Sequence, residues 1–131
     1  MEEYVNLMLI SHSREVANGL KEMIEQVATN IKVVAIGGTA NGEIGTDVAT
    51  ICKALEEIEE EGSTLIFYDI GSAKMNASLA LELKELPDVE IVEAPLVEGS
   101  YLAAVKASIG KSAQDIKQKL EQYFPNFFQD M

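Results

Sequence analysis

The chain has 131 residues, of which 47% are apolar and 24% charged, which is typical of one soluble domain large enough to bury a core. Its formal net charge of −12 argues against nucleic acid as a partner, because phosphate binding needs a basic surface, and suits a basic protein partner. No apolar run approaches the roughly 18 residues of a membrane span, so no membrane association is expected. The acidic N-terminus and the single cysteine, Cys52, predict a cytoplasmic location.

Short apolar runs alternate with helical patterns along the chain. The runs predict strands at residues 4–10, 31–36, 64–68 and 89–94. Because four strand–helix units follow one another, we expect an α/β fold, a single-domain, mostly parallel β-sheet with helices on both faces. The strands read as continuous apolar runs, as strands buried on both faces should.

Apolar residues at helical spacing predict five helices between and after these strands. Their expected core faces are Val16, Leu20, Met23, Ile24 and Val27; Val48, Ile51, Leu55 and Ile58; Met75, Leu79, Leu83 and Leu86; Leu102, Val105 and Ile109; and Ile116, Leu120 and Tyr123. Gly62 is expected to stop the second helix and Pro87 the third, and Gly110 separates the last two. No linker or repeat is evident, so residues 1–131 are predicted to form one domain with an aromatic tail over about 124–131.

Polar and glycine-rich segments follow the first three strands. His12 and its flanking serines follow the first strand, residues 37–46 form a glycine-rich loop after the second, and Asp69 begins the turn after the third. In parallel sheets these segments share the carboxyl edge, where ligands bind. His12, the one histidine, offers a nucleophilic nitrogen, and Asp69 could accept the other ring N–H and set the tautomer.

Hydroxyls and free backbone amides surround this pair in the sequence. Ser13 and Ser72 stand at predicted helix starts, which favour anions, and Thr39 lies in the glycine loop. A nucleophile among anion-binding donors indicates phosphoryl transfer onto histidine. Each residue also has a structural interpretation: Asp69 as a turn former or helix cap, the serines as caps, and the glycines as turn geometry.

Other site chemistries fit the sequence less well. One histidine and one cysteine cannot supply a usual zinc site, although a carboxylate magnesium site stays open. The Walker A motif and the GxSxG elbow are absent. A flavodoxin-like module, holding a nucleotide or flavin on the glycine loop, is the alternative from another class. A histidine phosphatase would need an arginine next to His12 and a second histidine, and the sequence has neither. A regulatory domain would share the phosphorylation of histidine and would differ from a transfer protein only in its acceptor.

Three motifs together resemble one family. They are "ISHS" after the first strand, "GGTANGEIGT" after the second and "YDIGSAKMN" after the third. In this order and spacing they resemble the phosphoryl-donor subunit of the phosphotransferase-system-dependent dihydroxyacetone kinase, which is similar to the mannose-type enzyme IIA domain. The sugar-transport branch, the nearest alternative, would show a GGSP-like stretch in place of "GSAKMN". The resemblance covers residues from about 5 to 120.

The resemblance implies a site, partners and an assembly. His12 would be phosphorylated on Nε2, with Asp69 paired to the ring. The phosphoryl group would lie among four residues of the loops, Gly38, Thr39, Gly71 and Ser72. The donor would be the histidine phosphocarrier protein, and the acceptor would be ADP on the nucleotide-binding subunit of the kinase. The family forms homodimers, and neither a cofactor nor a metal is implied.

Overall fold

Four parallel strands form the sheet in a computed structural model that describes residues 4–58 and 62–125. The strands are β1 (Tyr4–Ser11), β2 (Lys32–Gly37), β3 (Gly62–Tyr68) and β4 (Val89–Ile91), in the order β2-β1-β3-β4. Strand β1 lies between β2 and β3, and all of its residues except the first are buried. Its mostly apolar sequence follows from this position, because both of its faces contact helices.

Five helices cover the two faces of the sheet. They are α1 (Arg14–Val27), α2 (Val48–Leu55), α3 (Gly71–Lys84), α4 (Leu96–Ser108) and α5 (Ala113–Tyr123). Helices α1, α4 and α5 pack on one face, and α2 and α3 pack on the other. The strand–helix alternation and the mostly parallel sheet with helices on both faces are therefore confirmed.

Successive residues of β1 feed two separate cores. Leu7 and Leu9 point into the core beneath α1, α4 and α5, whereas Met8 and Ile10 point into the core beneath α2 and α3. This alternation follows from the two-residue period of a strand. Both cores reach the carboxyl ends of the strands, so the loops at that edge rest on closely packed side chains.

The predicted core face of α3 is wrong. Helix α3 buries a stripe of alanines, Ala73, Ala77 and Ala80, and leaves Met75 and Leu83 about 70% exposed. The strands beneath it already contribute large side chains, including the fully buried Tyr68, so only small residues allow the helix to lie close to the sheet. The outer stripe of α3, which includes Leu79, therefore faces away from the core, and Leu86, beyond the end of the helix, is exposed as well.

Helix α4 differs from its prediction for the same reason. It buries small residues, Gly99, Ser100, Ala103 and Ala104, beside Leu96, while Val105 and Ile109 are exposed. A Cβ atom at Gly99 would lie 2.9 Å from the Ala94 Cβ atom and 3.3 Å from the Phe67 ring of β3, which shows how closely the helix approaches the sheet.

The other three helices follow their predictions in part. Of the predicted faces, Leu20, Ile24, Ile51, Leu55, Ile116 and Leu120 are buried, whereas Val16, Met23, Val27 and Tyr123 are exposed. In α1 the small Ala17 takes a core position, so the buried stripe is rotated away from Val16 and Met23. Among the described helices, none combines the length and apolar character needed to cross a bilayer.

Several element ends also differ from the predictions. Gly62 begins β3 instead of stopping α2. Its backbone runs so close to Tyr4 that a Cβ atom would lie 2.5 Å from the Tyr4 carbonyl oxygen, which explains the glycine at this position. Helix α3 ends before Pro87, with Glu85 in the left-handed conformation at φ 51°. Strand β4 is shorter than the predicted 89–94. Most of the predicted aromatic tail, from residue 126 onward, lies outside the described residues.

Candidate functional site

The three loops predicted to meet at the carboxyl edge do meet there. The Gly45 N–H donates to the His12 carbonyl oxygen at 2.8 Å, which joins the glycine loop to the end of β1. The Asp69 carboxylate accepts from the His12 N–H at 2.9 Å, which joins the end of β3 to the same residue. His12 is therefore held through its backbone by the segments that follow both neighbouring strands of the sheet.

The His12 ring makes one hydrogen bond through each nitrogen. Nδ1 lies 2.9 Å from Asp69 Oδ1, and Nε2 lies 2.7 Å from Ser72 Oγ. Because an ionised carboxylate only accepts, Nδ1 carries the proton. In the neutral ring Nε2 then keeps its lone pair, to which the Ser72 hydroxyl donates. The side chain is 19% exposed, so the ring lies at a shallow site.

Asp69 is the acceptor at the centre of this site. Its Oδ2 accepts from the Ser11 hydroxyl at 2.9 Å, and its Oδ1 accepts from the Ile70 N–H at 2.7 Å, in addition to both bonds from His12. Burial alone would raise the pKa of Asp69, but the bonds from His12, Ser11 and Ile70 outweigh it and hold the pKa below its ordinary value. Asp69 is therefore ionised, as the tautomer of His12 requires.

The lowered pKa of Asp69 makes folding stability depend on pH in acid. The unfolded chain protonates this carboxyl near its ordinary value of 3.8, and the folded chain only at lower pH. The stability that its bonds contribute is complete above the unfolded pKa and is lost as the pH falls through the folded pKa. We expect urea denaturation to show the wild type losing stability more steeply than Asp69→Asn below about pH 4. Parallel losses in the two proteins would contradict this.

Ser11 is a site residue for which the sequence analysis predicted no role. Its side chain is buried, donates to Asp69, and accepts from the Ser13 N–H at 3.0 Å. Through these two bonds Ser11 links the Asp69 carboxylate to the start of α1. The sequence feature that could have indicated this role is a small polar residue at the end of a mostly apolar strand. Ser13 itself caps α1, since its Oγ accepts from the Val16 N–H at 3.3 Å.

The glycine loop uses its first amides to hold its own shape. Gly38, with φ +78°, donates weakly to the Ser11 carbonyl oxygen at 3.4 Å, and the Thr39 N–H donates to the Glu43 carbonyl oxygen at 2.8 Å. Thr39 Oγ1 accepts from the Glu43 N–H. The two residues lie beside the site, but these amides are engaged within the loop.

Asn76 on α3 anchors the far end of the same loop, and the sequence analysis did not identify it. Its side-chain amide donates to Thr46 Oγ1 at 2.7 Å and to the Thr46 carbonyl oxygen at 3.3 Å. Asp47 then caps α2 and also accepts from the Ala40 N–H. The loop is therefore pinned to α3, the helix that carries Ser72.

The first turn of α3 faces His12 Nε2. The helix begins at Gly71, and no side chain caps it. The amides of Gly71 and Ser72 precede the first intrahelical bond, so they can serve an anion at the positive end of the helix dipole. Lys74, in the same first turn of α3, is paired with Glu93, which also accepts from the Tyr68 hydroxyl at 2.6 Å. Within residues 4–58 and 62–125, no metal-ligand cluster of three or more His, Cys, Asp or Glu side chains is present.

Comparisons with known proteins agree with this geometry. A family model described as "PTS system fructose IIA component" matches residues 6–117. The phosphotransferase subunit DhaM of the PTS-dependent dihydroxyacetone kinase of Lactococcus lactis is 42% identical over 116 residues, which covers 88% of this chain and 93% of that protein. The phosphoryl donor subunit DhaM of the PEP-dependent dihydroxyacetone kinase 2 of Listeria innocua is 38% identical over 120 residues, covering 88% and 96%. The crystal structure of a protein of unknown function, EF1359, superposes with a TM-score of 0.83 at 31% identity, covering 91% and 94%.

Proposed function

Because the chain belongs to the family of phosphoryl-donor subunits of the phosphotransferase-system-dependent dihydroxyacetone kinase, we propose that His12 carries a phosphoryl group on Nε2 as an intermediate of that relay. The observation that carries the proposal is the chain of hydrogen bonds from Asp69 through the imidazole to Ser72, which leaves the lone pair on Nε2. A histidine prepared in this way needs no base, since the nitrogen that attacks has no proton to lose.

Asp69 stabilises the charge that develops during the transfer. When Nε2 forms its bond to phosphorus, Nδ1 keeps its proton and the ring becomes positive, while the donor nitrogen takes the electron pair of the broken N–P bond. The ionised carboxylate at 2.9 Å from Nδ1 favours this charged ring. In the return step the N–P bond breaks, the pair goes back to Nε2, and an oxygen of the acceptor takes the phosphoryl group.

The phosphoryl oxygens would lie at the start of α3. The amides of Gly71 and Ser72 can donate to them, and the Ser72 hydroxyl can turn from Nε2 to an oxygen of the bound group. Ser13 Oγ and Thr39 Oγ1 each accept a backbone N–H, from Val16 and Glu43. We propose that these two hydroxyls are secondary donors and that Gly38 contributes through the shape of the loop.

The partners in this proposal follow the names of the relatives. We propose that the histidine phosphocarrier protein donates the phosphoryl group and that ADP on the nucleotide-binding kinase subunit accepts it, in support of dihydroxyacetone phosphorylation. The chain would be the phosphotransferase component with a phosphohistidine intermediate. We further propose that it acts as a homodimer in the cytoplasm, without membrane or nucleic-acid contacts.

One labelling experiment tests the function. The protein is incubated with phosphoenolpyruvate, enzyme I and the phosphocarrier protein, and acid-labile, alkali-stable phosphate is measured. We expect stoichiometric label on the wild type and none on His12→Ala, because His12 is the one histidine of the chain. Circular dichroism on both proteins checks that the variant folds. Label retained in His12→Ala would refute the proposal, and failure of ADP-loaded kinase subunit to remove label from the wild type would refute the acceptor.

A further inference from the structure

Three exposed apolar residues belong to segments that are hydrogen-bonded to His12 or to its partners. Ile44 is 77% exposed, Ile70 53% and Met75 69%, and each belongs to a different segment of the chain. Single exposed apolar residues are common on protein surfaces and need no explanation. Three of them on the segments that surround His12 place apolar surface around the candidate site, a feature that marks protein interfaces.

The hydrogen bonds of the site itself fix the positions of these residues. Ile44 precedes Gly45, whose N–H donates to the His12 carbonyl oxygen. The Ile70 N–H donates to Asp69 Oδ1, which also binds the His12 ring. Met75 lies one helical turn after Ser72 on the outer stripe of α3. We call Ile44, Ile70 and Met75 the apolar rim.

A permanent occupant does not suit the apolar rim. A second copy of the chain seated on these three residues would cover His12 Nε2 and block the transfer that the proposed function requires. The occupant must therefore bind and leave within each cycle, as a protein that exchanges a phosphoryl group with His12 does.

The charges near the rim favour a protein with a cationic surface around its own site. Glu43 precedes Ile44 and Glu15 lies in the first turn of α1, and both are exposed, as is the neighbouring Arg14. The chain as a whole carries a net charge of −12. A protein that holds ADP surrounds the nucleotide phosphates with cationic groups, which complement this acidic margin.

We propose that the apolar rim is the docking surface for the ADP-loaded acceptor protein and packs around the mouth of its nucleotide cleft. The proposal rests on the proposed function. In the docked complex the Nε2–P bond breaks, its electron pair returns to the ring, and a terminal oxygen of the ADP β-phosphate forms the new O–P bond, which yields ATP.

The test separates docking from the chemistry. Wild-type protein and variants are first labelled through the phosphocarrier, which measures the proposed function by itself. The labelled proteins are then mixed with increasing amounts of ADP-loaded nucleotide-binding subunit, and ATP formation is followed. We expect the acceptor concentration at half-maximal rate to rise about tenfold in the double variant Ile44→Thr/Met75→Gln, because apolar anchors dominate interface energies.

Leu83→Gln provides the matched control. Leu83 is 71% exposed on the same stripe of α3, about 12 Å further along the helix than Met75. We expect it to label and discharge like the wild type. A double variant that labels normally and discharges with unchanged acceptor dependence would overturn the docking proposal while leaving the proposed function intact. An equal effect of Leu83→Gln would overturn the placement of the interface at the rim. Wild-type protein that does not label at all would overturn the proposed function.

Discussion

Phosphoryl transfer to His12 is expected to slow by about a hundredfold or more in Asp69→Asn. An asparagine can present its NH₂ group to Nδ1, which would favour the opposite tautomer and place the proton on Nε2. It also removes the negative charge that stabilises the positive ring of the intermediate. The measurement is the initial rate of labelling by the phosphocarrier, corrected for the folded fraction. A rate within a factor of about three of the wild type would contradict the role of Asp69.

Asp47→Asn is the matched control for this variant. Asp47 also accepts backbone N–H groups, from Thr50 at 2.7 Å and Ala40 at 3.0 Å, but it makes no hydrogen bond to His12. Asparagine caps helices about as well as aspartate does, so the change should cost little stability. We expect near-normal labelling, which would separate the contribution of the His12–Asp69 pair from a general effect of losing a carboxylate.

Gly37→Ala is expected to destabilise the fold by about 3 kcal/mol or more. A Cβ atom at Gly37 would lie 2.4 Å from the Ser13 carbonyl oxygen and from Arg14 Cα, and backbone atoms cannot yield as a flexible side chain does. The start of α1 would have to move away from the end of β2, and His12 would move with it. Urea denaturation measures the effect, and the surviving folded protein should also label more slowly.

Gly19→Ala tests the same substitution where space is available. Gly19 lies inside α1, and nothing would lie within 4 Å of an added Cβ atom. Alanine has the higher helix propensity, so we expect the stability to rise by about 0.5–1 kcal/mol. Wild-type stability in Gly37→Ala would contradict the close approach of β2 to α1. A large loss in Gly19→Ala would contradict the open space at that position.

The location of the site could be predicted from the sequence because strand polarity decides it. Once the alternation of strands and helices is recognised, the segments that contain His12 and Asp69 must lie at the carboxyl edge of one parallel sheet. The buried strands were also predictable, since β1 and β3 need apolar residues on both faces. The three loop motifs then identified the family without any distances.

The helix faces could not be predicted, because α3 and α4 each have two stripes that could face the core. Helical spacing identifies a stripe of large apolar residues such as Met75 and Leu79, but it does not measure the space above the sheet. The packed strand side chains leave room for Ala77 and not for leucine. The exposed stripe on α3, part of which we propose as a docking surface, is a consequence of that packing.

The sequence by itself determined the order of the elements, the edge at which the site lies and the residue pair at its centre. These depend on periodicity and strand polarity, which are local properties of the chain. Only the tertiary structure decided the roles of Ser11, Gly45 and Asn76 and the engagement of the Thr39 amide within its loop. Ser11, Gly45 and Asn76 bond to partners about 30 or more residues away, and the Thr39 bond depends on how its loop closes, so none of them follows from spacing along the chain.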